Sequence, residues 1–155
     1  MASRRDQIVM SSAEVDAFLQ PARTLSVATI GPTGHPHVVA MWYGFLYGQV
    51  AFWTFAKSQK ILNLRRSPLL SALAEEGTTY QELKGVELVG QGRIVDDLNL
   101  IVQIGLSVAE RHVGPSAVTD EARPFIEAQA PKRLGVVIEV ERVVSWDHTK
   151  LGDAY

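Results

Sequence analysis

The amino-acid sequence predicts an α+β domain that is mainly β, a barrel of six or so antiparallel strands with short peripheral helices. Short apolar runs with period two, separated by Gly- and Pro-rich turns, are typical of antiparallel hairpins. Few helices stand between these runs, whereas a parallel sheet needs a helical crossover between most strands. Gly90 and Gly92 inside one strand predict the bulge or sharp bend that barrels use at corners.

The composition is that of a globular protein and excludes several classes of function. Of 155 residues, 46% are hydrophobic and 21% are charged, and no internal repeat is present, so we expect a single domain over 1–155. The net charge of −2 gives no electrostatic reason to expect nucleic acid or a membrane as partner. With no cysteine, no membrane-spanning run and a polar N-terminus, we expect a cytoplasmic protein.

The first half of the chain predicts one helix and a three-stranded meander. Ser11 and Glu14 form a capping box for a helix over 11–20, which Pro21 ends. Alternating residues predict the first three strands at about 24–30, 37–46 and 49–54. Tyr47-Gly48 supplies the tight turn before the third strand.

The second half predicts three helices and the remaining strands. Ser58 is the expected N-cap of a helix over 59–66, with Pro68 beyond its end. The further strands are predicted at 69–74, 86–95 and 134–146. The further helices are predicted at 98–112 and near 120–129.

The most distinctive feature is a basic segment without acids. The 58 residues 17–74 contain no Asp or Glu and carry +5, against −7 for the rest of the chain. Four of the five bases fall within 57–66, at a strand-to-helix junction where free N–H groups favour anions. We interpret the junction as a phosphate site held by Thr54, Lys57, Ser58 and Lys60, with both lysines exposed. The alternative is a solvated basic helix face, on which Arg65 and Arg66 stabilise the helix C-terminus.

Aromatic residues on neighbouring strands suggest a flat wall beside this site. Met41-Trp42-Tyr43 and Phe52-Trp53 suit a planar heterocycle that carries a phosphate tail, although packing in the core is the alternative. His35 and His37 have no third ligand at metal-binding spacing, so no metal is expected. Neither a phosphate loop for nucleotide hydrolysis nor a serine hydrolase elbow is present.

Several motifs together resemble a known family. Residues 52–60, Phe-Trp-Thr-Phe-Ala-Lys-Ser-Gln-Lys, and 63–68, Asn-Leu-Arg-Arg-Ser-Pro, resemble the phosphate-binding strand–loop–helix of the pyridoxamine 5′-phosphate oxidase-like (FMN-binding) split β-barrel family. Four segments are more narrowly similar to the actinobacterial branch of this family, which binds the deazaflavin coenzyme F-420. They are 28–37, 40–43, 57–60 and 145–151. The resemblance covers about 8–151.

The resemblance implies a homodimeric split barrel with a flavin or deazaflavin in each of two clefts at the subunit interface. It implies that the phosphate is held by Thr54, Lys57, Ser58 and Lys60, with Asn63 as a further candidate. It places the tricyclic ring against Val39, Ala40, Met41 and Trp42. Arg65 and Arg66 become candidate partners for the glutamate tail of coenzyme F-420. Gln59 stands where pyridoxamine 5′-phosphate oxidases have an Arg, which argues against vitamin B6 oxidation.

The implied function is an F-420-dependent oxidoreductase that transfers hydride from the reduced coenzyme to an unidentified small molecule. No catalytic side chain is assigned, and the candidate proton donors are Tyr43, Tyr80 and His148. The alternatives are an FMN-dependent oxidoreductase and a non-catalytic protein that binds or stores the coenzyme. A haem-binding split barrel is a further alternative, with an axial ligand from among His35, His37, His112 and His148.

Overall fold

A computed structural model describes residues 1 and 3–152, and it shows one antiparallel sheet with short helices around it. The strands are β1 (Thr24–Ile30), β2 (Pro36–Trp42), β3 (Gly44–Leu46), β4 (Gln49–Phe55), β5 (Leu69–Glu76), β6 (Lys84–Val95) and β7 (Arg133–Asp147). The helices are α1 (Arg4–Ile8), α2 (Ser12–Leu19), α3 (Gln59–Arg66), α4 (Leu98–Val113) and α5 (Arg123–Gln129). Residues 2 and 153–155 of the expected 1–155 domain lie outside the described residues.

The seven strands form a curled sheet whose two edges face each other without pairing. The strand order is β2-β1-β5-β6-β7-β4-β3, so β2 and β3 are the edges although only Tyr43 separates them in the chain. Because consecutive strands occupy opposite edges, the sheet must curl until those edges approach. The architecture is a split barrel, which confirms the predicted fold class with one strand more than expected.

The additional strand arises because the single strand predicted at 37–46 is wrong: the structure divides it into β2 and β3. β2 pairs only with β1, and β3 pairs only with β4, so the expected three-stranded meander does not form. The break lies at Tyr43, whose ring is completely buried and whose hydroxyl donates to the Leu19 carbonyl, 2.5 Å away. Burial of this residue and its bond to the end of α2 therefore divide the run.

Two apolar cores lie on opposite faces of the sheet. The inner core fills the curled sheet, where α2 closes one end with Val15 and Leu19 and α3 closes the other with Ile61 and Leu64. The outer core lies between α4 and β3, β4 and β7, and it is built from Leu46, Ala51, Val95, Ile101, Val102, Ile104, Val108, Ala130 and Val137. Helix α3, which carries three of the five bases, therefore lies at the end of the barrel opposite α2.

The predicted bend in β6 is confirmed. The register between β6 and β7 shifts between Val89 and Gly90. A Cβ atom at Gly90 would lie 2.0 Å from the Glu139 carbonyl oxygen, so only glycine permits this approach of the two backbones. The four predicted helices are found as α2 to α5, whereas α1 was not predicted. None of the helices in the described part of the chain is long and apolar enough to cross a lipid bilayer.

Candidate functional site

The predicted anion site lies where β4 ends and α3 begins. Thr54 faces the barrel interior on the same side of β4 as Phe52, and Lys60 lies in the first turn of α3. Lys60 Nζ donates to Thr54 Oγ1 at 2.9 Å, and the Thr54 hydroxyl lies 3.4 Å from Ser58 Oγ. Together with Lys57 these residues form what we call the Lys60 cradle (Thr54, Lys57, Ser58 and Lys60).

Lys60 is buried, which corrects the expectation that both lysines are exposed. It is 8% exposed, whereas Lys57 is exposed as expected. Burial lowers the pKa of Lys60, because desolvation disfavours the ammonium form. The ion pairs found among residues 1 and 3–152 involve no base from 57–66. An ammonium group buried without an acid is costly, and a bound anion would remove that cost.

Ser58 occupies the predicted N-cap position of α3, but its side chain makes no capping hydrogen bond. The carbonyl of Ser58 accepts hydrogen bonds from the backbone N–H groups of Ile61 and Leu62. The N–H groups at the start of a helix have no partner within the helix, and they favour anions. The Ser58 hydroxyl and the first turn of α3 therefore point to the same chemistry as Lys60.

Asn63 connects α3 to the sheet. It is completely buried, and its Nδ2 donates to Thr29 Oγ1 of β1 at 3.0 Å. Its Oδ1 accepts from Gln59 Nε2 at 2.8 Å and from Arg66 at 3.3 Å. Arg66 also donates to the Ile30 carbonyl. These hydrogen bonds fix the orientation of α3, and with it the position of Lys60.

The strand predicted to face a ring, β2, lies at an open edge of the sheet. Among residues 1 and 3–152, β2 pairs only with β1, so the backbone groups on its other side have no strand partner there. Its residues alternate in burial, with Val39 and Met41 half-buried beside Val27 and Leu25 of β1. Ala40 and Trp42 lie on the opposite, exposed face.

The predicted aromatic wall is largely wrong, because most of its members are core residues. Tyr43 and Phe52 are completely buried in the inner core, and burial raises the pKa of the Tyr43 hydroxyl. Trp53 packs against Gly105 of α4 on the outer side of the sheet. Because its hydroxyl is buried, Tyr43 is unsuited to donate a proton to a ligand. Of the predicted wall, Trp42 is accessible from solvent, with 60% of its surface exposed.

Comparison with known proteins decides the family. Residues 11–147 match the family model of pyridoxamine 5′-phosphate oxidase. The chain belongs to the pyridoxamine 5′-phosphate oxidase family. A search of the curated proteins gives no match.

Solved structures with this fold include proteins of different described functions. A conserved hypothetical protein from Mycobacterium tuberculosis is 45% identical over 99% of this chain and 95% of its own, with a TM-score of 0.92. An F420 reductase is 24% identical over 87% of this chain and 98% of its own, with a TM-score of 0.64. HutZ, a haem storage protein from Vibrio cholerae, is 19% identical over 88% and 96% of the two chains, with a TM-score of 0.67. The last two likenesses establish the shared fold.

Arg111 of this family member was not singled out by the sequence. Its guanidinium donates to the carbonyls of Leu19, Gln20 and Ala22, where α2 ends, and to the carbonyl of Tyr43 at 3.0 Å. It also lies over the Tyr43 ring, 4.6 Å from the ring centre. Arg111 therefore ties α4 to α2 and to the break between β2 and β3.

His112 was considered only as a haem ligand, and the structure places it against Trp42. The two rings are nearly parallel, with centres 4.1 Å apart and planes at 11°. His112 hydrogen-bonds the backbone of Arg23, while its Nε2 is buried without a hydrogen-bond partner. Burial lowers the pKa of His112 more than the hydrogen bond to Arg23 raises it, and the nearby charges of Arg111 and Arg23 lower it further.

Arg133 pairs with Phe55, next to Thr54 of the Lys60 cradle, but its side chain lies on the opposite face of β4 from Thr54. Its guanidinium lies between the rings of Trp53 and Phe55, 4.5 Å from each ring centre. It donates to Gln129, and no acid pairs with it among the described residues. No sequence pattern indicated this arrangement, because it joins strands β4 and β7, which are distant in the chain.

The remaining predicted candidates lie away from the cradle. His148 Nδ1 is 2.7 Å from the Tyr80 carbonyl oxygen, and the two rings are in edge contact. Both residues lie near the Lys84 end of β6, whereas α3 packs near its Gly92 end. Residues 1 and 3–152 contain no group of three or more His, Cys, Asp or Glu side chains that could hold a metal ion.

A second groove lies at the opposite end of the barrel, under α2. It has a volume of about 540 Å³ and is lined mainly by apolar residues such as Val15, Val50, Leu88 and Val143. Its lining includes no Lys or Arg, so none of the five bases of the basic segment contributes to it.

Proposed function

We propose that this protein is an oxidoreductase that binds coenzyme F-420 and passes hydride from the reduced coenzyme to a small-molecule acceptor. The observation that carries the proposal is the burial of Lys60 without an acidic partner at the junction of β4 and α3. A phosphate group fits this junction because it supplies the missing negative charge. It also accepts hydrogen bonds from the ammonium, the hydroxyls and the N–H groups gathered there.

Each member of the cradle then has a separate task in binding the phosphate. The Lys60 ammonium supplies the buried charge, while the hydroxyls of Thr54 and Ser58 supply further hydrogen bonds. Lys57 contributes a charge from the exposed loop before α3. Asn63 acts through α3, since its buried amide bonds to Thr29 and fixes the helix against β1.

The open edge of β2 is the proposed seat of the tricyclic ring, along Val39, Ala40, Met41 and Trp42. Its unpaired backbone N–H and C=O groups suit the polar edge of a flat ring. When bound, the reduced coenzyme supplies the hydride. The residues of this chain hold the phosphate and orient the ring so that an acceptor can approach its exposed face.

Uncompensated positive charge around the cradle favours coenzyme F-420 over FMN. Lys57 and Arg65 are exposed, and Arg133 has no acidic partner among the described residues. The glutamate tail of coenzyme F-420 adds carboxylates that FMN does not have, and these suit such a surface. The neutral Gln59 and the fold shared with an F420 reductase support the same choice.

An uncovered sheet face supports a homodimer with its clefts at the subunit interface. Helix α4 covers the outer face of β3, β4 and part of β7, but none of the helices in the described part of the chain lies over the outer face of β2, β1 and β5. On that face Val38 is 63% exposed and Leu69 is 53% exposed. A second copy that packed there would bury both residues and would bring its own side chains beside β2.

A non-catalytic coenzyme-binding protein is the second candidate. The observation that favours it is that none of the three candidate proton donors, Tyr43, Tyr80 and His148, is available at the open edge of β2. The Tyr43 hydroxyl is buried and bonded to Leu19, and Tyr80 and His148 lie at the other end of β6. Oxidation of the reduced coenzyme by a panel of unsaturated acceptors separates an enzyme from a carrier.

The test is a fluorescence titration of the purified protein with oxidised coenzyme F-420 and, in parallel, with FMN and with haem, repeated at several fixed salt concentrations. We expect saturable binding of the deazaflavin that is tighter than binding of FMN and that weakens as salt rises. Tighter binding of FMN would favour the flavin alternative, and binding of haem alone would favour a haem protein. Binding of none of the three would show that the Lys60 cradle is only a solvated helix end.

A further inference from the structure

We propose that His112 is a positioning residue that holds Trp42 flat as one wall of the site for the coenzyme ring. This inference rests on the proposed function, because it assigns the ring end of the same ligand. It adds two residues on different elements, β2 and α4, which approach each other across the opening of the split barrel.

The geometry of the pair leaves one side of Trp42 available. The His112 ring covers one face of the indole, with ring centres 4.1 Å apart and planes at 11°. Trp42 is nevertheless 60% exposed, so the surface that does not touch His112 remains open to solvent. A large aromatic ring supported from one side is a prepared stacking surface for a planar conjugated ligand.

The position of Trp42 along β2 suits a ring whose phosphate is bound at α3. His37, near the start of β2, pairs with Thr29, which is bonded to Asn63 of α3. Trp42 lies five residues further along the strand and on its opposite face, about 17 Å from His37 at a rise of about 3.4 Å per residue, so a ligand that reached both would cross the open edge of β2. A phosphorylated polyol chain followed by a tricyclic ring has an extended length of this order.

His112 is itself fixed in place. It hydrogen-bonds the backbone of Arg23, and its neighbour Arg111 is anchored to four backbone carbonyls. Among residues 1 and 3–152 its buried Nε2 has no hydrogen-bond partner, a cost that an apolar side chain filling the same space would avoid. The ring thus supports Trp42 from a rigid part of the structure, and this limits the rotamers open to the indole.

The test compares three variants with the wild type in coenzyme titrations, with inorganic phosphate as a competing ligand. His112→Leu replaces the flat ring by an apolar side chain of similar size, and we expect it to weaken coenzyme binding about tenfold, as for loss of an aromatic stack. Trp42→Leu should weaken binding at least as much. His112→Phe restores a flat ring and should bind within about twofold of the wild type. The inhibition constant of phosphate should be unchanged in all three.

Two results would overturn this inference while the proposed function stands. One is wild-type coenzyme affinity in His112→Leu. The other is a parallel loss of coenzyme and phosphate binding, which would show a general structural defect. Failure of the wild type to bind any coenzyme is a different result, and it would remove the proposed function itself.

Discussion

Substitution of Lys60 by Met should change coenzyme binding and protein stability in opposite directions. The bound phosphate loses a charge-assisted hydrogen bond, worth about 1.5–3 kcal/mol, so affinity should fall about 10- to 150-fold. The free protein loses a buried ammonium that has no acidic partner, which should stabilise it by roughly 1–2 kcal/mol after allowance for the donor that Thr54 loses. For a chain of 155 residues this raises Tm by about 2–8 °C.

The assay combines thermal unfolding of the ligand-free protein with a fluorescence titration at the same pH and salt. Lys57→Met is the matched control, because Lys57 is exposed in the adjacent loop. The control should weaken binding less than tenfold and leave Tm unchanged, as is usual for an exposed charge. A Lys60→Met protein that is less stable than the wild type and binds the coenzyme equally well would refute the reasoning.

Three further outcomes are expected. Burial lowers the pKa of Lys60, so the unfolded chain binds more protons between that value and the ordinary one. The stability of the free protein should therefore rise with pH across this window while coenzyme affinity falls. Unfolding curves and coenzyme titrations of the wild type and of Lys60→Met, each at several pH values, check this. Wild-type stability that does not change with pH would contradict it. Asn63→Leu should destabilise the protein by about 2–3 kcal/mol in urea unfolding, because it leaves the buried Thr29 hydroxyl without its donor, and an unchanged midpoint would contradict the role given to Asn63. Arg111→Leu should cost about 2–4 kcal/mol by freeing the carbonyls at the end of α2, with Arg65→Leu on the exposed face of α3 as a control that should cost under about 0.5 kcal/mol.

Local signals predicted the helices well. Helix α3 begins after Ser58 and ends before Pro68, and its observed bounds, Gln59–Arg66, are those the sequence indicates. The bend at Gly90 was also predictable, since glycine inside a strand has few other uses. These features depend on residues close together in the chain, and a single sequence contains that information.

The division of the strand at Tyr43 was not predictable, because its cause lies far away in the chain. Residues 37–46 alternate like one continuous strand. The break depends on the Leu19 carbonyl and on Arg111, which contact Tyr43 from α2 and α4. No local pattern encodes those contacts, so the meander prediction failed while the fold class was confirmed.

The candidate site was found by composition, but its most informative property was missed. The segment without acids directed attention to Thr54, Lys57, Ser58 and Lys60, and the structure places them around the β4–α3 junction. Burial of Lys60 was not anticipated, since lysine is seldom buried in folded proteins. The aromatic wall failed for a related reason, because alternation along a strand does not reveal which face is covered by a helix.

The most direct measurement is a crystal structure of the protein with oxidised coenzyme F-420 bound. The account expects the phosphate within hydrogen-bond distance of Lys60 Nζ and of the hydroxyls of Thr54 and Ser58, with the ring along the open edge of β2. A coenzyme whose phosphate is bound elsewhere, with Lys60 still buried against Thr54 and without an anion, would contradict it.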